Sequence, residues 1–370
     1  MKESYLADAI DPTRVKRVLV IKLRHFGDVL LTSPVFTVLK AHIPGVEIDA
    51  LVYAETAPML EDHPAISRVH GIDRNWKREG VISQWQQERG LFNTLKERHY
   101  DLIIHLTEHA RGVRMVRRLK PTYSVAQSYP GKRGRRWRNS FTHTYRVPAN
   151  PRHTVEIHLD ALRRLGIYPA IEQRRLVMEP GTDAGTRAAT LMQQHGLESG
   201  KYLLLHPTSR WMFKGWTRHG FAAILKQLHN SGHKLVVTSA PDPAELEVVE
   251  QIMSDCSDLS ITNLAGQLNL KELSALIKHA SVFIGLDSVP MHIAAAVNTP
   301  CVALFGPSDE KTWGPWQVPH RLITQNYACR PCGLDGCGNG KISDCLVTIK
   351  PDDVVSAVLS LLSSTEHVAN

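Results

Sequence analysis

The run Val18-Leu-Val-Ile-Lys-Leu-Arg-His-Phe-Gly-Asp-Val-Leu-Leu-Thr-Ser-Pro34 decides the fold. Its apolar start, Val18 to Leu23, is too short for a membrane span or a signal peptide and reads as a strand of a parallel sheet covered on both faces. Gly27 and Asp28 stand where that strand becomes a helix over Leu30–His42, whose Leu31, Val35, Val38 and Leu39 recur at helical spacing. Glycine permits a tight turn close to a ligand. The loop has no G-x-G-x-x-G, which disfavours a dinucleotide site.

Outward from this run, strands over Arg17–Leu23, Glu47–Val52, Val69–Ile72 and Asp101–Leu106 alternate with helical patterns at Leu30–His42, Ala57–Glu61 and Leu91–Arg98. A basic, irregular stretch, Lys120–Asn150, precedes a helix over Val155–Leu165 and a strand over Arg174–Glu179. Pro180-Gly181 reads as a linker, after which the alternation restarts. Strands are expected at Tyr202–His206, Lys234–Ser239, Ser260–Leu264, Val282–Leu286 and Cys301–Phe305. Helices are expected at Gly220–Leu228, Pro243–Met253, Leu270–His279 (capped by Asn269), Met291–Val297 and Pro351–Leu362. This predicts an α/β protein of two Rossmann-like, doubly wound domains, 1–180 and 181–350, facing a cleft. A terminal helix and tail, 351–370, are expected to pack back toward the N-terminal domain. Ligands in such sheets bind at the carboxyl ends of the strands.

The 370 residues exceed one small core, and 43% hydrophobic with 22% charged residues is globular composition. No apolar run approaches the ~18–20 residues of a membrane span, so the chain is expected in the cytoplasm. A net charge of +8 suits polyanions: nucleic acid, anionic headgroups or phosphorylated substrates.

Asp28 stands at the mouth of the sheet near a helix start, where it can be an N-cap or a first-turn carboxylate that stabilises the helix. In the second half, Gly285-Leu-Asp-Ser-Val-Pro-Met-His-Ile-Ala-Ala-Ala296 carries the most specific pattern. A strand runs almost directly into a small-residue helix, so Ser288 and nearby N–H groups form an anion site aided by the helix dipole. Asp287 and His292 lie at that helix start and one turn inside it, as ligand contacts or as a cap and a core histidine. The loop His206-Pro-Thr-Ser-Arg-Trp-Met-Phe-Lys-Gly-Trp216 offers Thr208 and Lys214, and Ser239-Ala-Pro-Asp-Pro-Ala-Glu245 offers Glu245 for ribose hydroxyls or as a solvated acid. Gly306-Pro-Ser-Asp309 turns after the last apolar strand.

Lys132-Arg-Gly-Arg-Arg-Trp-Arg138 is the densest basic run, and Arg111, Arg114, Arg117 and Arg118 line a helix pattern. These can be a solvated face, a nucleic-acid patch with Trp137 stacking on bases, or a phosphate-binding surface. Cys329, Cys332, Cys337 and Cys345 are spaced loosely for a structural zinc site or are reduced thiols in a Gly-rich loop.

Arg24-His-Phe-Gly-Asp-Val-Leu-Leu-Thr-Ser-Pro34, with the later segments in matching order to about Val347, resembles the ADP-heptose–lipopolysaccharide heptosyltransferase family, and within it the branch that adds a third heptose. The resemblance implies a two-domain glycosyltransferase-B fold and inverting transfer from ADP-L-glycero-D-manno-heptose to the second heptose of the inner core. Asp28 is then the general base. Lys214, Thr208, Glu245, Asp287, Ser288, His292 and Gly306 contact the donor, and Arg24, Arg111, Arg114, Arg135, Arg136 and Arg138 serve a phosphorylated acceptor. Neither metal nor other cofactor is expected, and the protein would lie loosely on the cytoplasmic face of the inner membrane of a Gram-negative cell. The alternatives are a same-fold transferase adding the first or second heptose or using another nucleotide sugar, and a non-catalytic basic nucleic-acid-binding protein. Salt-sensitive binding to random duplex would mark the last, donor turnover the others.

Overall fold

The computed structural model describes residues 6–129, 134–147 and 149–369 and divides the chain into two compact units, Met1–Met178 and Glu179–Asn370. In the first, β1 (Arg17–Ile21) leads to α1 (Phe26–Leu30) and α2 (Ser33–His42), then β2 (Glu47–Tyr53), β3 (Arg68–Ile72), α3 (Val81–Glu97) and β4 (Leu102–His105). They are followed by α4 (Ala110–Leu119), β5 (Tyr123–Ser128), α5 (Arg135–Arg138), β6 (His143–Arg146) and α6 (Thr154–Arg164). All pairings are parallel, in the order β3-β2-β1-β4-β5-β6.

The second unit holds α7 (Thr182–Gln194), β7 (Tyr202–His206), α8 (Arg218–Asn230), β8 (Lys234–Val237), α9 (Pro243–Ser254), β9 (Thr262–Asn263) and α10 (Leu270–His279). Then come β10 (Val282–Leu286), α11 (Val289–Ala296), β11 (Cys301–Leu304), α12 (Glu310–Trp313), β12 (His320–Ile323), α13 (Asp344–Val347) and α14 (Pro351–Ala369). Its parallel sheet runs β12-β11-β10-β7-β8-β9, the first sheet's order repeated. In each, the order reverses beside the first strand, between β1 and β4 and between β7 and β10. Such a reversal opens a crevice at the strand carboxyl ends, where ligands of doubly wound sheets sit.

The central strands are buried because helices cover both faces: β4, β7, β10 and β11 are buried at every residue. Leu19, Ile21, Leu51, Ile103 and Ala126 anchor one core, and Leu203, Leu205, Val237, Ile284 and Val302 the other.

Several boundaries depart from the sequence reading. Leu30–His42 breaks into α1 and α2, because Pro34 lacks the N–H a continuous helix would need and Thr32 turns its hydroxyl onto the Val29 carbonyl. Ala57–Glu61 is a 3₁₀ turn, Ala54–Met59, with Pro58 inside it. α3 starts ten residues ahead of Leu91, at Val81, through a polar stretch without helical apolar spacing. The irregular stretch 120–150 contains two strands, β5 and β6, locked together where Ser124 and Thr142 exchange side-chain-to-backbone hydrogen bonds. No strand forms at Arg174–Glu179; Val177 N–H donates to Ser33 Oγ of α2 instead of to a ladder. The strand expected at Ser260–Leu264 shortens to the edge strand β9. α14 belongs to the second unit. Its Val354, Val355, Val358 and Leu361 are buried in the second unit's core, beside β10 and β11.

Candidate active site

In the first unit the site is built where β1 ends. Lys22 follows the strand, and Gly27 and Asp28 are the second and third residues of α1. The turn is therefore made by Lys22–His25, not by Gly27, whose backbone is helical. His25 occupies the cap position and makes no side-chain capping bond, so Asp28 is a first-turn carboxylate and not the cap. Asp28 is partly exposed at 19%. Its Oδ1 lies 3.6 Å from Lys22 Nζ and 4.0 Å from Nε of the exposed Arg24.

Lys22 was not singled out from the sequence, although a lysine ending an otherwise apolar strand is a readable signal. Its Nζ donates to the Leu106 carbonyl (3.2 Å), just past β4, and lies 2.9 Å from His158 Nε2 of α6. Burial, only partly offset by Asp28, pushes the Lys22 pKa down to about 8. Leu23 N–H donates to Thr107 Oγ1, so the loops after β1 and β4 are tied together at the reversal of strand order.

The arginines expected to serve an acceptor separate. Arg111 is largely buried and pairs with Glu88 of α3 at 2.8 Å, so it braces α4 against α3. Arg114 is exposed. Its neighbour Gly112 lets α4 lie on His105, since a Cβ there would come 1.6 Å from His105 Nε2. Arg135, Arg136 and Arg138 are exposed on α5, while Lys132 and Arg133 of the same run lie outside the described residues. Trp137 is buried between them, donating from Nε1 to the Gln127 carbonyl (2.8 Å) and meeting His105 edge-on at 5.5 Å. It anchors α5, so the base-stacking role considered for a nucleic-acid patch is not open to it.

In the second unit four segments come together after β7, β8, β10 and β11. Lys214 ends a 3₁₀ turn, Met212–Lys214, and its Nζ meets Asp287 Oδ2 at 2.6 Å across the reversal between β7 and β10. Asp287 is buried (7%), while Lys214 keeps 21% of its side chain accessible. Asp287 is thus an ion-pair partner rather than a helix cap. Ser288 is the residue at the N-cap of α11, yet its side chain makes no capping bond and its Oγ is buried without a hydrogen-bond partner. A buried hydroxyl left so beside a helix N-terminus is suited to a bound anion. His292 is buried one turn further along α11.

Glu245, in the first turn of α9, is buried at 6% and accepts from Thr208 Oγ1 at 2.6 Å, so it is no solvated acid. His206, at the end of β7, rests against Thr238 Oγ1 (3.0 Å), and burial pushes its pKa down to about 4, keeping it neutral. Gly306 is required by packing, because a Cβ would come within 2.5 Å of Leu346, and its carbonyl accepts from Arg330 Nε (2.7 Å). A cavity of about 350 Å³ opens beside these groups, lined by Trp211, Phe213, Lys214, Pro307, Ser308 and Asp335.

Cys329, Cys332 and Cys337 are exposed and Cys345 is buried, all as free thiols. Among the described residues no group of three or more His, Cys, Asp or Glu side chains is placed to hold a metal ion. Nor is any described helix long and apolar enough to cross a membrane.

Comparison with known proteins locates this arrangement. Residues 89–343 match the model of glycosyltransferase family 9 (heptosyltransferase). The chain is 37% identical over 295 residues to lipopolysaccharide heptosyltransferase 3 of Escherichia coli, covering 80% of this chain and 84% of that one. To the protein of the same name in E. coli strain K12 it is 34% identical, covering 92% and 96%. Among solved structures, a family 9 glycosyltransferase from Veillonella parvula superposes with a TM-score of 0.81 at 22% identity, covering 97% of this chain and 100% of that one. E. coli ADP-heptose heptosyltransferase II gives 0.73 at 21%, covering 95% and 99%. The two six-stranded parallel sheets are those of the glycosyltransferase-B fold, and the chain belongs to glycosyltransferase family 9, the heptosyltransferases.

Proposed function

We propose that this protein transfers a heptose from an ADP-heptose donor to the second heptose of the lipopolysaccharide inner core, with inversion at the anomeric carbon. The observation that carries the donor half is the grouping of Lys214, Asp287 and the unbonded Ser288 hydroxyl at the N-terminus of α11. An ammonium and a helix N-terminus are what a diphosphate needs, in the ground state and as a leaving group. Lys214 exchanges Asp287 for phosphate, and Asp287 is then free to accept from sugar hydroxyls. Thr208 and Glu245 form a buried polar pair suited to ribose hydroxyls, with His292 and Gly306 lining the same end of the sheet. One relative of this fold, heptosyltransferase WaaC of E. coli, is known in a structure with ADP.

In the first unit Asp28 takes the proton of the attacking acceptor hydroxyl. Attack on the face opposite the leaving ADP inverts the centre. Arg24, Arg114, Arg135, Arg136 and Arg138 pair with phosphate on the acceptor, and Arg111 holds α4 in place. The relatives' name, lipopolysaccharide heptosyltransferase 3, supports the third heptose as the one added. Exposed guanidinium groups suit a peripheral position on an anionic cytoplasmic membrane face.

The test is transfer from ADP-heptose to truncated cores carrying one or two heptoses, read by mass spectrometry with and without EDTA. A gain of one heptose on the two-heptose core alone, unchanged by EDTA, is expected. Transfer to the one-heptose core, or from another nucleotide sugar only, would replace this reading.

A further inference from the structure

We infer that Lys22 is a positioning residue for Asp28, held as an ammonium by a neutral His158 and the Leu106 carbonyl, and that it orients the carboxylate that takes the acceptor proton. The inference rests on the reading of Asp28 as general base.

An ammonium has three donors and no acceptor. Around Lys22 Nζ stand three acceptors: the Leu106 carbonyl at 3.2 Å, His158 Nε2 at 2.9 Å and Asp28 Oδ1 at 3.6 Å. A neutral amine would turn its lone pair onto one of them. The histidine's role follows from its other nitrogen. His158 Nδ1 lies 3.0 Å from the Leu31 carbonyl, which can only accept, so the ring proton is on Nδ1 and Nε2 carries a lone pair. Burial first, and then Lys22, hold the His158 pKa well below the ordinary histidine value, so the ring stays neutral. Leu31 directly precedes the break between α1 and α2, and the chain Leu31–His158–Lys22–Asp28 therefore starts and ends on the segment that carries the base.

Other groups surround the ammonium. Arg24, in the loop after β1, opposes its charge; the Lys22 charge in turn adds to burial in holding His105 of β4 neutral, and His153 lies beyond His158 and bears on that ring. Asp28 is the one carboxylate among these. Burial leaves Lys22 able to lose its proton at about pH 8, where an exposed lysine would not. Below that pH Asp28 keeps its cation; above it the carboxylate loses a partner and an orientation.

The experiment compares full-chain enzymes with Lys22→Met, Lys22→Arg and Asp28→Asn by kcat and donor KM against pH, and by ADP calorimetry. The wild type should show an alkaline limb in kcat near pH 8. Lys22→Met should lose that limb and about 10- to 100-fold in kcat, the rate equivalent of one close ion-pair partner, with donor KM and ADP affinity kept. Lys22→Arg, always protonated, should recover part of the rate without the limb. If Lys22→Met does not fold, judged by circular dichroism, the wild-type profile and Lys22→Arg decide: a limb absent in the wild type, or unmoved in Lys22→Arg, overturns the inference. An Asp28→Asn enzyme with normal turnover would overturn the base assignment. An inactive Asp28→Asn beside a Lys22→Met with normal rate and profile would overturn the positioning role alone.

Discussion

The two units repeat one sheet order and place a lysine and an aspartate at the same reversal of strands, yet the pairs are built differently. In the first, Lys22 leaves the end of β1 itself, is buried, and stands 3.6 Å from a partly exposed Asp28. In the second, Lys214 rides on a 3₁₀ turn eight residues past β7 and is accessible, while the carboxylate, Asp287, is the buried member at 2.6 Å. A cation at a strand end, held by the Leu106 carbonyl and His158, stays where it is and serves its aspartate. A cation on a loop, touching a single carboxylate, can leave it for a phosphate. On the proposed function, which partner is buried separates the site that would orient a base from the site that would capture an anion.

The comparison is broken most directly at the exposed carboxylate. Asp28→Asn should lower turnover by ~10²–10⁴-fold, the range of a lost general base, with ADP affinity nearly unchanged. Turnover close to normal would make Asp28 a helix-stabilising acid. The mirror experiment, Lys214→Ala, should weaken ADP and ADP-heptose alike by about 10- to 100-fold, because a charge-assisted bond to diphosphate acts before and after transfer. Calorimetry showing unaltered ADP affinity would remove Lys214 from the site and leave Asp287 a buried carboxylate with a structural cation.

A second difference lies beneath the sites. β8 of the second sheet carries Leu235, Val236 and Val237, whereas β2 of the first carries Asp49, fully buried and bonded by Arg98, Tyr100 and His70. Burial alone would raise the Asp49 pKa, but those hydrogen bonds carry it down to about 2. A depressed carboxylate stabilises the fold above its unfolded pKa, and the contribution fades as pH falls from about 4 toward 2, amounting to about 2 kcal/mol. Calorimetry should therefore show the first unit's transition falling with acid, and Asp49→Asn should remove most of that slope. A slope that persists in Asp49→Asn would place the acid sensitivity elsewhere.

The strand-rich frame was legible because β1, β7, β10 and β11 are buried on both faces and so are written as unbroken apolar runs. β5, with Ser124 and Gln127, and β6, His143–Arg146, are not written that way. They are held by a partner strand and by the Ser124–Thr142 bonds, which no local pattern announces. At the candidate site, Asp287 and Ser288 directly follow β10, and Asp28 and Lys214 lie in the segments that follow β1 and β7, where position points to chemistry. Lys22 escaped because it looked like part of the apolar run it terminates, and His158 because it lies 136 residues away on α6. Trp137 misled in the other direction: an aromatic amid arginines suggests stacking, but packing on His105 and Phe141 decides its place.

The smallest effect is expected from that arginine run, and it extends the comparison from fixed and exchangeable lysines to exposed guanidinium groups with no fixed partner among the described residues. Trp137 pins α5 while Arg135, Arg136 and Arg138 stay exposed, so any contact they make with the proposed acceptor would be in water and screened by salt. All three belong to the unit of Asp28, while the candidate diphosphate groups belong to the other unit. Replacing the three with Gln should raise the apparent KM for a phosphorylated two-heptose core about three- to tenfold and flatten its dependence on salt, as exposed ion pairs contribute little each. The KM for ADP-heptose should hardly move, and Trp137 should keep the fold, since none of the three side chains is buried. A matched loss of donor affinity would place the run beside the nucleotide. No change with a phosphorylated acceptor would make it a solvated face, and the contrast between the units would then rest on the two lysines alone.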